Sequence, residues 1–280
     1  MKILAIGDFH GTFPKKFYKI IDKEKIDVVV SNGDFMPFQY RNLWFKHCYK
    51  KDIELWEVIG KEKFKELELR NVRGADNALK ALNKFKAPVI TVTGNVDKTK
   101  WKEARDPKRK KATWKWANQD FILPLINKYE NIKCIDFSAT RFEELIFVGY
   151  PKSSFPGDTK SKNYRIHRRK LELLFSKFKK ENKKGKVIFV SHNVPNRTKL
   201  DKIWMKAHKK ARGKHYGSKL VKKIIKKYHP VLFIGGHIHE GIGKQKLGKT
   251  WMVNPGSAHE GKAAIIEIDG GKVKKVKFIR

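Results

Sequence analysis

Short runs of apolar residues recur along the chain, and each ends in glycine or in a small polar residue. Because these runs are rich in β-branched residues and do not alternate with polar ones, they predict strands that are buried on both faces. Six runs have this form, at residues 3–6, 28–30, 89–92, 146–148, 187–190 and 231–234. The pattern therefore predicts a sheet structure inside the protein.

Between several of these runs, apolar residues recur at the spacing of one helix face. Residues 14–25, 75–85, 164–178 and 218–228 have this spacing, and Ser218 is a plausible N-cap for the last of these helices. Strands that alternate with helices indicate an α/β sandwich. The end of the chain differs, because residues 250–253, 263–268 and 273–278 predict three strands with no helix between them. We expect these three strands to close the second sheet.

Two stretches interrupt the alternation of strands and helices. Residues 38–73 are rich in Phe, Trp, Glu and Lys, and residues 98–128 mix basic residues with tryptophan. No internal repeat and no Gly/Ser-rich or Pro-rich linker separates them from the rest of the chain. We therefore predict one domain over residues 1–280, with helical insertions at about 38–73 and 98–128.

Side chains that bind metals well follow five of the predicted strands, at the point where each strand ends. They are Asp8 and His10, Asp34, Asn95, His192, and finally His237 and His239. Open α/β sheets place their ligands at the carboxyl ends of the strands, so these five segments can meet at one edge. Neighbouring glycines such as Gly7 and Gly33 let the backbone turn sharply there.

The set contains two carboxylates, one amide and four imidazoles. Mixed oxygen and nitrogen ligands suit Mn²⁺, Fe²⁺ or Zn²⁺, and the absence of thiolates argues against a structural zinc site. Seven ligands exceed what one ion needs, and they suit two ions roughly 3.5–4 Å apart that share a bridging carboxylate and a hydroxide. A single Asp-X-His or His-X-His triplet is more often an ordinary surface or core feature. Five such segments at strand ends favour the metal site.

The ordered motifs resemble those of the calcineurin-like metallophosphoesterase superfamily, and they are most similar to its Icc-related archaeal and bacterial members. They read Gly7-Asp8-Phe9-His10-Gly11, Gly33-Asp34, Gly94-Asn95-Val96-Asp97, Ser191-His192 and Gly236-His237-Ile238-His239. The resemblance implies a four-layer αββα sandwich and two divalent metal ions, of which Mn²⁺ is favoured over Fe, Zn or Ni.

The resemblance also implies how the two ions are held. Asp8, His10 and His239 would bind the first ion. Asn95, His192 and His237 would bind the second ion, and Asp34 would bridge the two. The implied reaction is phosphoester hydrolysis by a hydroxide that both ions share, so that Asp34 counts as catalytic as well as metal-binding.

One position departs from the family pattern, which often has histidine after the asparagine. Here the residue is Val96, and members with this Gly-Asn-X-Asp form are often associated with phosphodiesterase activity. Without the imidazole the general acid is open: His215, His208 and metal-bound water are the alternatives, with His215 slightly favoured and Asp97 a further catalytic candidate. Two alternative functions remain. The protein would be a phosphomonoesterase, or it would be a metal-binding scaffold or nucleic-acid-binding protein with low activity.

Substrate-binding candidates lie between the last two ligand segments. Arg197 and Lys199 follow His192 closely and would reach a substrate phosphate. Ser218, at the start of a predicted helix, would offer backbone amides to a phosphate, although a plain N-cap is the commoner role. The segment Asn254–Ser257 resembles the loop that this family places beneath its metal centre, where it gives structural support.

The charge of the chain points to an anionic partner. Lysine and arginine number 65 against 28 acidic residues, for a net charge of +37. Such a field attracts nucleic acid or other polyanions, although lysine-rich thermophile proteins are an alternative source of the bias. Trp101, Trp114 and Trp116 lie among basic residues in a combination that stacks on single strands. No base-reading motif is present, so we expect a nucleotide or nucleic-acid-derived substrate without sequence readout.

The remaining features indicate a cytoplasmic protein. Cys48 and Cys134 are too few and too far apart to suggest a disulfide framework, and they suit a reducing compartment. The apolar run at the N-terminus is too short for a signal peptide. No stretch reaches the length of a membrane span. The oligomeric state is not predicted.

Overall fold

The computed structural model describes residues 1–49, 51–99, 114–151, 153, 155–204 and 212–280. Twelve strands lie in this part of the chain: β1 (Lys2–Ile6), β2 (Val28–Ser31), β3 (Val89–Thr91), β4 (Ile132–Cys134), β5 (Ala139–Phe142), β6 (Leu145–Tyr150), β7 (Val187–Asn193), β8 (Leu232–Gly236), β9 (Gly243–Leu247), β10 (Thr250–Asn254), β11 (Ala263–Asp269) and β12 (Lys272–Ile279). Eight α-helices accompany them: α1 (Lys16–Glu24), α2 (Arg41–His47), α3 (Leu55–Ile59), α4 (Lys61–Asn83), α5 (Leu123–Asn127), α6 (Lys162–Lys177), α7 (Lys179–Lys183) and α8 (Lys219–Tyr228).

The strands form two mixed sheets of six strands each. The first has the order β12-β11-β1-β2-β3-β4, and the second has the order β5-β6-β7-β8-β10-β9. Strands β1 to β4 are parallel to one another, as are β6, β7, β8 and β10. The carboxyl ends of these parallel strands therefore lie at one edge of each sheet.

Alternating side chains of β1 show how the layers are built. Leu4 and Ile6 belong to a core that also contains Phe17 of α1 and Leu79 of α4. Ile3 and Ala5 point the other way, into the core that the two sheets share. A third core joins the far face of the second sheet to α6 and α8. The layers follow the order helix, sheet, sheet, helix, which confirms the predicted αββα sandwich.

The predicted closure of the second sheet by three C-terminal strands is wrong for two of them. Strand β10 lies in the second sheet beside β8, but β11 pairs antiparallel with β1 in the first sheet, and β12 pairs with β11. Because β10 runs parallel to β8, it ends at the edge where the parallel strands end. The chain then crosses between the sheets along that edge, and β11 must return antiparallel to β1.

The first predicted insertion contains α2, α3 and the first part of α4. Helix α4 continues without a break from Lys61 to Asn83, so the helix predicted at residues 75–85 is the end of a longer one. Strands β4, β5 and β9 were not predicted, because they are short or lie at sheet edges where burial is partial. The single-domain organisation and the insertion boundaries stay predictions.

Two of the three tryptophans predicted to stack on bases, Trp114 and Trp116, are half-buried and pack against other aromatic side chains. The Trp114 and Trp116 rings stack with their centroids 5.0 Å apart, and Trp114 also contacts the rings of Trp56 and Phe64. These contacts place both rings against a small core that contains buried Cys48. Trp101 lies outside the described residues.

Helices that could cross a membrane are not found among the described residues, because none combines the required length with sufficient apolarity. Cys48 and Cys134 are both free thiols.

Candidate metal centre

Two groups of metal-binding side chains meet at the edge where the parallel strands end. Asp8, His10 and His239 form one group, and Asp34, His192 and His237 form the other. Within each group the potential ligand atoms lie within 4.8 Å of one another. The side-chain oxygen of Asn95 lies 2.6 Å from Nε2 of His192, which adds the amide to the second group. The structure therefore brings all seven predicted ligands together.

Nitrogen and oxygen atoms that accept protons or metals face one another inside both groups. In the first, Nε2 of His239 lies 3.3 Å from Nε2 of His10 and 3.4 Å from Oδ1 of Asp8. In the second, Nε2 of His192 lies 3.2 Å from Nδ1 of His237 and 3.5 Å from Oδ2 of Asp34. Such clustering of lone pairs is stable when a cation lies among them.

One oxygen atom tests directly whether the first group fits a cation. Oδ1 of Asp8 is buried and has no hydrogen-bond partner in the part of the chain that the structure describes. A buried carboxylate oxygen without a partner is costly, and a divalent ion among oxygen and nitrogen ligands would satisfy it. The residues present fit the two divalent metal ions that their pattern predicts.

The backbone is strained where these ligands are attached. Asp8, His10, Asp34 and His237 have φ values of 54°, 46°, 57° and 69°, in the left-handed region that residues other than glycine avoid. Each costs about 1–3 kcal/mol and persists only where its surroundings enforce it. Hydrogen bonds between the first two ligand loops do so, from the Asp8 N–H to the Gly33 carbonyl at 2.8 Å and from the His10 N–H to the Asp34 carbonyl at 2.9 Å.

Asn32 orients two of the ligands, and sequence reasoning missed it. Its side-chain Nδ2 donates to Oδ2 of Asp8 at 2.9 Å, and its backbone carbonyl oxygen accepts from Nδ1 of His192 at 2.8 Å. The second bond leaves Nε2 of His192 to face the metal site. A Cβ on Gly7 or Gly236 would come within 1.9 or 1.8 Å of the Asn32 side chain. The glycines at positions 7 and 236, which leave space for the Asn32 side chain, were the only sign of its role in the sequence.

Asp97 organises the ligand loops, while its catalytic role stays a prediction. Its Oδ2 accepts the backbone N–H groups of Asp34 and Gly94, and its Oδ1 accepts those of Phe35 and Met36, all at 2.8–3.1 Å. Both oxygens are thereby occupied, and the residue is 1% exposed. Asp97 therefore joins the loops after β2 and β3.

Val96 contributes its backbone to the site and its side chain to packing. Its N–H donates to Oδ1 of Asp34 at 2.9 Å, while its side chain packs against the core on the outer face of the first sheet. The position that often carries an imidazole in related sequences therefore supplies no side-chain hydrogen-bond donor here.

Burial and neighbouring charges shift the pKa values of the ligands in opposite directions. Burial raises the pKa of Asp34 to about 6, although the charge of His10 opposes the shift. Burial also acts to raise the pKa of Asp8, but the neighbouring imidazoles of His239, His192 and His10 outweigh it and the pKa falls. Burial lowers the pKa of His192, which keeps its imidazole neutral and able to bind a metal.

The loop after β10 supports the first ligand loop from below, as its sequence predicted. The Ser257 hydroxyl donates to the Asp8 carbonyl at 2.8 Å, and the Ala258 N–H donates to the Gly7 carbonyl at 2.7 Å. Asn254 connects the same loop to the last ligand segment through a 2.8 Å bond to the Ile238 carbonyl.

Another buried aspartate, Asp201, organises the described residues 194–204 and 212–218, which we name the Asp201 loop. It accepts the backbone N–H groups of Arg197, Thr198 and Gly217 at 2.7–3.0 Å. It also lies 2.7 Å from Nδ1 of His215, whose side chain is one-third exposed. These bonds fix the His215 ring and direct its Nε2 away from Asp201.

The His215 loop is attached directly to the metal-binding strand. Nδ2 of Asn193, the residue after His192, donates to the Tyr216 carbonyl at 3.0 Å. Tyr216, the next residue in the chain, thus holds His215 near the edge of the sheets where the predicted metal ligands lie, which we name the ligand edge. His208, the other histidine considered as a proton donor, lies outside the described residues.

The three predicted substrate-binding residues have different environments. Arg197 and Lys199 are exposed on the loop that Asp201 organises. Ser218 is buried: its hydroxyl accepts the Val221 N–H and caps α8, and its own N–H donates to the Val194 carbonyl. The Gly217 N–H is bonded to Asp201. The predicted phosphate contact by the amides at Ser218 therefore does not fit, because those amides are already bonded.

The sequence profile of the calcineurin-like phosphoesterase family matches residues 1–241, and the chain belongs to this family. The match spans the ligand segments from Asp8 to His239. The chain is accordingly a metal-dependent phosphoesterase, and the family implies two divalent metal ions. A search of curated proteins found no match to the chain.

Solved structures share the fold at low sequence identity. One crystal structure is 19% identical with a TM-score of 0.69, over 100% of this chain and 98% of the other. The protein TT1561 of Thermus thermophilus is 16% identical with a TM-score of 0.55, over 100% and 99% of the two chains. A dimetal phosphatase from Danio rerio is 11% identical with a TM-score of 0.52, over 96% and 92%. At these identities the likeness shows the fold alone.

Proposed function

We propose that this phosphoesterase is a phosphodiesterase that acts on a nucleotide or nucleic-acid-derived substrate. Asp8, His10 and His239 would hold one ion, while Asn95, His192 and His237 would hold the other. Asp34 would contact both. The observation that supports this most strongly is the arrangement of these side chains as two adjacent groups at one sheet edge.

The bound ions supply Lewis-acid chemistry, which lowers the pKa of water and neutralises charge on phosphate oxygens. We favour Mn²⁺ because the ligand set mixes oxygen and nitrogen atoms. The protein's contribution is to hold the ligands in place, through Asn32 and Asp97. Asn95 adds a neutral amide, which avoids a further negative charge beside an anionic substrate.

Val96 supports diester over monoester hydrolysis. A phosphate monoester carries up to one more negative charge than a diester, so it needs more hydrogen-bond donors or positive charge around it. The Val96 side chain supplies neither, because it is apolar and packs against the core. Valine in place of histidine should therefore slow the hydrolysis of a singly charged diester less than that of a monoester.

We assign the protonation of the leaving group to His215. An imidazole whose Nδ1 donates to a buried carboxylate is held in one orientation, with Nε2 available for proton transfer. The 2.7 Å contact between His215 and Asp201 has this form. The exposed Arg197 and Lys199 side chains on the same loop would contact substrate phosphate groups, and the net charge of +37 would attract an anionic substrate.

The experiment compares the wild type with Asp34→Asn and with Asp269→Asn, an exposed aspartate remote from the metal ligands in the chain. Hydrolysis of bis-p-nitrophenyl phosphate and p-nitrophenyl phosphate is measured with Mn²⁺. The wild type should cleave the diester faster than the monoester, and Asp34→Asn alone should lose this activity. Unchanged turnover in Asp34→Asn would refute the mechanism, and faster monoester cleavage would refute the diester preference.

A further inference from the structure

A second feature of the ligand edge is an aromatic cavity on the helix side of the second sheet, which we name the β6–α6 pocket. It has a volume of about 260 Å³ and lies between the end of β6, residues 151, 153 and 155–158, and the starts of α6 and α8. Its lining includes Phe137, Tyr150, Phe155, Tyr164 and His167. None of these residues is among the seven metal ligands.

The position of the pocket relates it to the metal centre. Tyr150, at the end of β6, pairs in register with Ser191, the residue before His192 on the neighbouring strand. Adjacent strands lie about 4.8 Å apart, so the pocket begins one strand away from a metal ligand. Tyr150 faces α6, and the pocket therefore opens on the opposite side of this edge from the space between the sheets.

Phe155 connects the pocket to the strand that carries His192. Its ring is 55% exposed at the pocket, and its centroid lies 6.4 Å from that of Tyr216. The Tyr216 carbonyl is bonded to Asn193, the residue after His192. These contacts link the strand that carries His192 to Phe155 through Tyr216.

The chemistry of the walls indicates which group the pocket would bind. The Phe137 and His167 rings lie 4.8 Å apart, and the Phe137 and Tyr150 rings lie 5.5 Å apart, so one wall is a continuous aromatic surface. Ser153, Asp158 and Asn163 add polar atoms to the lining. A flat heteroaromatic ring with polar edges matches both kinds of wall.

The size of the pocket and the charge around it limit further which class of ligand would bind there. The volume is just below the usual range of roughly 300–1,000 Å³ for small-molecule sites, which suits one ring system and not an oligonucleotide. Helix α6, beside the pocket, carries several basic residues, and Nζ of Lys170 lies 4.5 Å from the Phe137 ring centroid. This positive charge favours a ligand that also carries phosphate.

We propose that the β6–α6 pocket binds the base of a nucleotide whose phosphoester lies at the metal centre. The inference rests on the proposed function, because it names the substrate class for the same site. It makes Phe155 a specificity-determining residue, which stacks on the base at the mouth of the pocket.

The test measures binding of the four common nucleoside 5′-monophosphates and of ribose 5-phosphate, which lacks the base. Titrations use the full chain with Mn²⁺ and again with EDTA, where no turnover occurs. Phe155→Ala is compared with Phe45→Ala, a matched change at an exposed phenylalanine on α2 outside the pocket. Because Phe155 is exposed, its replacement should not disturb folding.

At least one nucleotide should bind the wild type more tightly than ribose 5-phosphate does, by roughly 5- to 150-fold if one base stacks on an aromatic side chain. Phe155→Ala should remove most of this difference, and Phe45→Ala should retain it. Equal binding of all five compounds, or a base preference that survives Phe155→Ala, would overturn the proposal. Because binding in EDTA needs neither ions nor turnover, these results are independent of the hydrolysis assay with Asp34→Asn.

Discussion

The ligand edge and the Asp201 loop both contain buried aspartates, and the two regions use them in opposite ways. At the ligand edge, Asp8 keeps one oxygen without a hydrogen-bond partner among the described residues, and that oxygen faces histidines. In the Asp201 loop, Asp201 directs its oxygens at three backbone N–H groups and one histidine. Asp97 resembles Asp201, although it lies two residues from the ligand Asn95.

The comparison shows that burial and sequence position do not separate the two roles. Asp8, Asp97 and Asp201 are all at most 1% exposed, and each follows or joins a strand-end loop. What differs is the number of lone pairs that the backbone already occupies. A carboxylate with unoccupied lone pairs can bind a metal, and one surrounded by amides holds loops together.

The largest effect should come from His215, the functional group that the Asp201 loop positions. His215→Gln should lower kcat by about 10²–10⁴-fold for a nucleoside leaving group, since that is the usual contribution of general acid catalysis. With p-nitrophenolate, which leaves without protonation, the loss should be small. Rates on both substrates with His47→Gln as control check this, and equal losses on both substrates would contradict an acid role.

Asp97→Asn should cost folding stability, whereas Asp34→Asn should not. The amide would place an N–H₂ group against backbone N–H donors, with an expected loss of about 2–4 kcal/mol in the free energy of unfolding. Asp201→Asn should behave like Asp97→Asn. Chemical denaturation of metal-free protein measures this effect, with the exposed Asp269→Asn as control. A loss in Asp34→Asn as large as that in Asp97→Asn would remove the distinction between the two roles.

Asn32→Ala should weaken metal binding while the ligands remain. Loss of its hydrogen bond to Asp8 frees that carboxylate to rotate, and outer partners of this kind are worth about 10–100-fold in metal affinity. Titration with Mn²⁺ measures the change, and Asn42→Ala on α2 is the matched control. An affinity equal to that of the wild type would show that Asp8 does not need Asn32 for its orientation.

Local patterns made most of the fold predictable. The six predicted runs coincide with β1, β2, β3, β6, β7 and β8, and Ser218 caps α8 as considered. The seven predicted ligands were identified for the same reason, because each lies at or shortly after the end of such a run.

Long-range contacts account for what was missed. The place of β11 depends on the edge at which β10 ends, and no pattern within β11 shows this. The role of Asn32 depends on Asp8 and His192, which lie 24 and 160 residues away. Asp97 matches an acidic position of a motif, but the motif does not show its hydrogen bonds to Asp34, Phe35 and Met36, which lie 63, 62 and 61 residues away.

The number of divalent ions bound per chain tests the central claim most directly. Equilibrium dialysis with Mn²⁺ should give two ions for the wild type and fewer than two for Asp34→Asn, with loss of diester hydrolysis in the variant. A wild-type protein that hydrolyses diesters with one ion or none, or an Asp34→Asn variant that binds two ions and remains active, would contradict it.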